Sequence, residues 1–411
     1  MRRPALVAAA VLTATLTTAS VAVAQTTTTT TPATTAPATT TLPTAAFTRS
    51  TISVGGVVDP AYAGAAVGAQ ARIARANARG GVLGRQVVYV GTSSDAKTAI
   101  SGVVPISAVV PAASPTLDTA TLATSKVPFF GPADQAAWTG NTSGFGFAGA
   151  QVPKFSRLTS PAWGITMSAL LGGATGKTIA VAAPPATDTG ELARASLQAA
   201  GFSVSAVISV SPSPSPELSA IAPALAQQGP DGVVLLTDGA TTGALASALA
   251  AQSYIGTVAT TQDFYRPENP AIASGLTVLL PYAPPEQATA ANKVLLADVE
   301  KFAPGTKVTA AVIAGYWSAD EFVAALTKAG RRASAAKLAK TLRSFAYEVK
   351  GTVGPTTFPG AHAQPAPCGA LVQSDGTAYF PAVGYRCGKP VKVKQLGAGT
   401  TGTTTTTTTK K

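Results

Sequence analysis

Three carboxylates, Asp188, Asp238 and Asp263, fall in the connections that follow the apolar stretches Thr178–Ala182, Gly232–Leu236 and Gly256–Thr260. Paired acids facing one cleft are the minimum equipment for general acid–base hydrolysis. No motif surrounds these three, and each reads equally well as a helix cap or a turn residue. The single histidine, His362, sits in a Gly/Pro-rich stretch, so neither a histidine-based triad nor a histidine metal cluster can be assembled. Gly172-Gly173-Ala174-Thr175-Gly176-Lys177-Thr178 imitates a phosphate-binding loop, but Leu171 stands where glycine is required and a strand follows where a helix should. Asn141-Thr142-Ser143 fits the glycosylation sequon by chance. What remains is non-covalent binding: no catalytic residue, no metal site and no cofactor are expected, and the chain is not expected to be an enzyme.

Those residues hang on a regular alternation of elements. Ile52–Val58, a small-residue helical run to Asn77, a Gly80-Gly81 stop and Val87–Val90 spell a βαβ unit. A short helix over Asp95–Ser101, a strand at Ile106–Val110, a loop Ala113-Ser114-Pro115-Thr116, a helix to Ser125 and strands at Val127–Phe130 and Phe145–Ala148 follow. The alternation then restarts, with helices at Trp163–Leu171, Thr189–Ala200, Glu217–Gln228 and Thr242–Ala251. These interleave with strands at Thr178–Ala182, Val204–Val210, Gly232–Leu236, Gly256–Thr260 and Leu276–Leu280. Helices over Asn292–Phe302, Thr309–Ala329 and Ala333–Ser344 come last. Two such blocks predict an α/β protein of two Rossmann-like lobes with mostly parallel sheets, in which ligands sit in the loops beyond the carboxyl ends of the strands. Cys368 and Cys387 bracket Ala370–Val372 and Ala378–Phe380 with Ser374-Asp375-Gly376 between, which predicts a C-terminal hairpin closed by a disulfide.

Met1–Ala24 has Arg2-Arg3, a short apolar run and Ala22-Val23-Ala24, the pattern of a signal peptide cleaved after Ala24. Residues 25–46 are a Thr/Pro-rich linker and residues 396–411 a Thr-rich tail. Neither can bury enough apolar surface to offset its ordering entropy, and both are expected to be disordered. No cysteine follows the signal, so no bacterial lipid anchor is expected, and the mature chain is placed outside the cytoplasm as a secreted or cell-envelope protein. The formal net charge of +12 raises nucleic acid as a partner. Much of it lies at Lys328, Arg331, Arg332, Lys337, Lys340, Arg343 and Lys350, on predicted helices without interleaved aromatics. This is the pattern of a solvated face, and no nucleic-acid partner is expected.

The link Asn77-Ala78-Arg79-Gly80-Gly81-Val82-Leu83-Gly84, the stretch Gly232–Gly239, Ala311–Ala319 with its Gly315-Tyr316, and Gly351–Phe358 resemble, in order and spacing, the branched-chain amino acid-type substrate-binding proteins of ABC transporters, the leucine-binding protein family. The resemblance covers Ser50–Val393. It implies a type I periplasmic-binding fold, with lobe I over 47–149 and 283–349, lobe II over 150–282 and 350–395, and a three-segment hinge that closes over a ligand. It also implies that Ser114 and Thr116 offer hydroxyls to the ligand, that Tyr62 offers a ring, that Asp188 and Thr189 stand at a ligand-side helix start, and that Asp263 meets an ammonium. Asp238 is carried beside them as a candidate. Ser114 and Asp188 also read as caps, Tyr62 as a packed ring, and Asp238 and Asp263 as turn residues. Pro111 and Pro115 remove two N–H donors from the first-lobe loop, which widens the expected ligand from an amino acid to an amide or urea-like molecule. The implied partners are that small molecule and an ABC permease, the protein itself being a monomer. The alternative is a cell-envelope ligand sensor or interaction module with the same fold and no transporter.

Overall fold

The computed structural model describes residues 45–133, 138, 140–148 and 157–393. The expected signal peptide, the tail and nearly all of the Thr/Pro-rich linker lie outside them. The first block runs β1 (Thr51–Val58), α1 (Gly64–Ala78), β2 (Gln86–Ser93), α2 (Ala96–Ile100), β3 (Val109–Ala113), α3 (Thr119–Ser125), β4 (Phe129–Gly131) and β5 (Gly144–Gly146). Its five strands pair in parallel in the order β2-β1-β3-β4-β5. β3 lies three residues beyond the expected Ile106–Val110. Pro111 cannot donate to a ladder, and the strand carries it through at a register irregularity opposite Gly55–Val57 of β1.

The second block runs β6 (Leu158–Thr159), α4 (Ala162–Leu170), β7 (Thr178–Ala183), α5 (Thr189–Ala199), β8 (Ser203–Ser209), α6 (Leu218–Gln228), β9 (Gly232–Leu235), α7 (Gly239–Ala251), β10 (Thr257–Thr260) and β11 (Thr277–Leu280). The chain continues through α8 (Ala290–Phe302), α9 (Ala310–Ala329), α10 (Ala335–Leu342), β12 (Ser344–Val349), β13 (Val353–Pro359), β14 (Cys368–Ser374), β15 (Tyr379–Cys387) and β16 (Val391–Lys392). The second sheet has seven strands in the order β15-β14-β11-β10-β9-β7-β8. It is parallel from β11 to β8, and the hairpin β14–β15 adds antiparallel at its edge. The cysteines face each other at the hairpin's open end, Cys368 opposite Cys387, and are bonded. Gly172–Lys177 is the connection between α4 and β7, not a strand-to-helix phosphate loop.

Side-chain alternation explains the layering. Ile179 and Val181 of β7 point to one face, where they pack with Met167 of α4 and Leu197 of α5. Ala180 and Ala182 point to the other, with Leu225 of α6 and Leu245 and Leu249 of α7. Over the first sheet lie α1, α8 and α9, and the closest approach is between α1 and α9. A Cβ on Gly68 would fall 1.9 Å from the Val312 carbonyl oxygen, and one on Gly315 would fall 1.8 Å from that of Ala65, so only glycine lets the two backbones meet. Phe130, Phe145, Phe322 and Phe358 form a buried aromatic chain beside them, centroid distances running from 5.2 to 5.6 Å.

β12 and β13 form an antiparallel hairpin across the division placed at 349/350, and Phe345 and Phe358 belong to the core beneath the first sheet. The helix expected to reach Ser344 stops at Leu342, because the alternating Phe345, Tyr347 and Val349 make a strand there. Trp138 is buried against Phe129 at 4.8 Å. All seven residues of the basic cluster are exposed, and Lys328 also donates to the Ser344 carbonyl and sits over the Phe345 ring.

Candidate functional site

Parallel strands deliver their connections to one edge of a sheet. Here the carboxyl ends of strands from both sheets meet at a cavity of about 460 Å³. The first sheet supplies Tyr62 after β1, Pro115 after β3, Ala133 after β4 and Ala148 after β5. The second supplies Leu236 and Thr237 after β9, Thr261, Gln262 and Asp263 after β10, and Leu279 and Pro281 at the end of β11. Thr159 and Ser160, the starts of α4 (Trp163) and α5 (Thr189, Leu192), Ala366 and Cys368 close the remaining side.

Local chemistry holds each of these in place. Tyr62 ends a 3-10 turn, Pro60–Tyr62, fixed by Asp59, whose side chain accepts from the Ala61 N–H at 2.9 Å. Ser160 ties two walls together: its hydroxyl donates to the Ala366 carbonyl at 2.6 Å and accepts from the Ala162 N–H at 3.2 Å, fixing the start of α4 and with it Trp163. Thr237 and Thr242 place their hydroxyl oxygens 2.8 Å apart, and the Thr242 hydroxyl also lies 3.1 Å from the Thr237 carbonyl. Asp263 stands exposed on the turn Gln262–Phe264, above the buried Phe264 and Tyr265, with the Thr261 hydroxyl directed at it from 3.4 Å.

Tyr62, Thr189 and Asp263 are thus brought to one cavity. Ser114 and Thr116 are turned onto each other beside it: the Ser114 hydroxyl accepts the Thr116 N–H at 3.2 Å, and only Pro115 between them reaches the wall. Asp188 occupies the N-cap position of α5 without a side-chain bond to the helix and does not line the cavity. Asp238 caps α7, one oxygen accepting the Thr241 N–H at 3.0 Å and the other the Thr241 hydroxyl at 2.6 Å. Those bonds, the hydroxyl's first, hold its carboxyl below the usual range. The polar and aromatic wall residues that sequence reasoning passed over are Trp163, Thr159, Ser160, Thr237, Thr261 and Gln262. The hydroxyls carry no signal among so many threonines, but Trp163 directly follows Ser160-Pro161-Ala162 at a helix start, where a tryptophan faces a strand end. Among the described residues no group of three or more His, Cys, Asp or Glu could hold a metal ion.

Residues 51–378 match the family described as periplasmic binding protein. The chain belongs to that family. Its architecture, mixed α/β with mostly parallel sheets, is the type I periplasmic-binding fold. Similar solved structures include substrate-binding proteins of ABC transporters. The fatty acid ABC transporter substrate-binding protein from Thermomonospora curvata is 17% identical over 84% of this chain and 94% of its own, with a TM-score of 0.59. The branched-chain amino acid transporter substrate-binding protein LivJ from Streptococcus pneumoniae, in complex with isoleucine, is 14% identical over 80% of this chain and 99% of its own, TM-score 0.59. A solute-binding protein of an ABC transporter from R. palustris, in complex with 4-hydroxybenzoate, is 18% identical over 82% of this chain and 97% of its own, TM-score 0.58. No curated protein matches the chain. Among the described residues of this periplasmic binding protein no helix is long and apolar enough to cross a membrane. The family and the Cys368–Cys387 disulfide fit an extracytoplasmic location.

Proposed function

We propose that this periplasmic binding protein is the extracytoplasmic solute-binding component of an ABC importer, exported by its N-terminal signal, and that as a monomer it closes over a small polar solute: an amino acid, an amide or a urea-like molecule. The observation that carries the reading is the cavity, lined by the carboxyl ends of strands from two separate sheets. A site with walls from two bodies is completed by bringing them together, and closure then reports occupancy to a permease. The reading includes no covalent step.

The hinge segments in this proposal include the connection between β11 and α8 and the connection between β13 and β14. We put the last of these after Pro359, beyond the expected division at 349/350, on the ground that β13 pairs with β12. Tyr282 and Val353 form a bridge, and the Ala283 N–H donates to the Thr352 carbonyl at 2.7 Å, so the β11–α8 crossing runs beside the β12–β13 hairpin.

A thermal-shift screen of amino acids, amides, polyamines and small sugars against ligand-free protein tests this. A ligand at a thousandfold excess over its Kd stabilises by about 4 kcal/mol, and closure should also reduce the radius of gyration in solution scattering. A ligand that raises the melting temperature and compacts the protein is expected. Binding without compaction would remove the hinge, and no hit across the screen would remove the solute-binding reading.

A further inference from the structure

Resting on the solute-binding reading, we propose that the cavity selects an amine with an apolar body and turns away carboxylates. The chain carries 30 Lys and Arg against 18 Asp and Glu, yet among the described residues the one charged side chain on the cavity wall is that of Asp263. A carboxylate enclosed there would meet no side-chain cation from the described residues and would face a like charge. An ion taken out of water without a counterion is strongly disfavoured, whereas an ammonium beside Asp263 brings its own partner.

Three of the wall hydroxyls lean the same way, while Tyr62, Thr159, Trp163, Thr189 and Gln262 keep groups able to donate. Ser160 has already donated its proton to the Ala366 carbonyl. The arrangement that satisfies both contacts of the Thr237–Thr242 pair has Thr242 donating to the Thr237 carbonyl and Thr237 donating to Thr242. Thr261 directs its proton at Asp263. What these three oxygens turn toward a ligand is lone pairs, so they accept from a donor such as an ammonium or an amine N–H. On the opposite wall Pro115 has no N–H, and the N–H of Thr116 is taken by Ser114. Backbone donors remain in the first turn of α5, but Asp188 at its N-cap position already sets a carboxylate beside them; Glu191 in the same turn is paired with Arg194. Trp163, Leu192, Leu236 and Leu279 supply the apolar surface that rewards a hydrocarbon body over a bare ammonium.

The test is calorimetric titration of the purified protein with two matched series, each sharing one body and differing only in its polar end. These are phenethylamine, phenylalanine and 3-phenylpropionate, and isoamylamine, leucine and 4-methylpentanoate. The expected result is that within a series the amine binds at least tenfold more tightly than both the zwitterion and the acid. Asp263→Asn should weaken the amine at least tenfold, while the melting temperature of the ligand-free variant confirms its fold. An amino acid or acid that binds as tightly as its amine overturns the amine selectivity and leaves the solute-binding reading standing. An unchanged amine affinity in Asp263→Asn also overturns it. If neither series binds at millimolar concentration, the amine proposal falls. The broader thermal-shift screen then decides separately whether the solute-binding reading falls with it.

Discussion

From the first sheet the cavity receives one phenol, one proline and two alanines; from the second come a tryptophan, leucines, the carboxylate and most of the hydroxyls. The supporting structure differs in the same direction. Over the first sheet, α1 and α9 meet backbone to backbone through Gly68 and Gly315, leaving no slack for a changed residue. The second sheet ends in an antiparallel hairpin whose open end is bonded at Cys368, and that cysteine is itself part of the wall. The first half therefore reads as a stiff cover and the second as the part that discriminates. Substitutions in the first should cost fold, and substitutions in the second should cost binding.

The largest break in that contrast comes from Gly315→Val. The added Cβ would meet the Ala65 carbonyl at 1.8 Å, and a helix backbone cannot turn aside. A loss of about 4 kcal/mol or more in urea denaturation is expected. The control is Gly239→Ala at the start of α7, where nothing lies within 4 Å of the new Cβ; it should shift stability by less than about 0.5 kcal/mol.

Replacing Cys368 and Cys387 together by alanine should remove about 2–4 kcal/mol. It should also weaken the ligand found in the thermal-shift screen, because Cys368 lines the cavity. Lost stability with unchanged affinity would make the hairpin a remote staple.

Glu321 probes the first half by pH. It is fully buried on α9, both its oxygens lack a partner, and desolvation, followed by the charge of Asp320, raises its pKa well above the ordinary value of 4.5. An acid raised on folding keeps its proton longer in the folded chain than in the unfolded one. Its contribution is therefore whole below about pH 4.5 and is lost as pH rises. Relative to Glu321→Gln, the natural protein should lose about 1.4 kcal/mol per pH unit on rising above that point. Parallel stability–pH curves for the two would rule out burial as the controlling effect.

In the second half, Trp163→Ala should weaken the same ligand about tenfold, or about 1.4 kcal/mol, and also lower the ligand-free melting temperature, because the half-buried ring packs on the core of the second sheet. Smallest is Asp238→Ala, which removes the α7 cap and should cost about 1 kcal/mol with ligand affinity untouched. Because the carboxyl is held below its usual range on folding, that difference should be present at neutral pH and fade as pH falls. A change in affinity from Asp238→Ala would return this residue to the site.

Most elements were legible because glycine, proline and caps punctuate them. Gly80-Gly81 ends the region of α1, Gly201 follows α5, and Gly229 closes α6 in the left-handed conformation. The misplacements have physical reasons. Proline normally ends a strand, yet Pro111 sits inside β3, at an irregular pairing with β1. β12 follows directly on α10, and its alternation of Phe345, Tyr347 and Val349 is too short to announce itself after a helix. α7 begins at Gly239, ahead of the expected Thr242, because Asp238 supplies the cap.

Composition and spacing alone determined the two α/β blocks, the parallel sheets and the stapled hairpin, since periodicity and turn residues are local properties. Which loop residues meet was decided only by the tertiary structure. Asp238 and Asp263 are both aspartates beyond parallel strands, but Thr241 stands three residues after Asp238 and takes both of its oxygens. Asp263, in a 3-10 turn with only the Thr261 hydroxyl at 3.4 Å, remains directed at the cavity. A carboxylate serves its own turn when a donor lies within reach and serves a site when none does, and which of these holds depends on the turn's geometry.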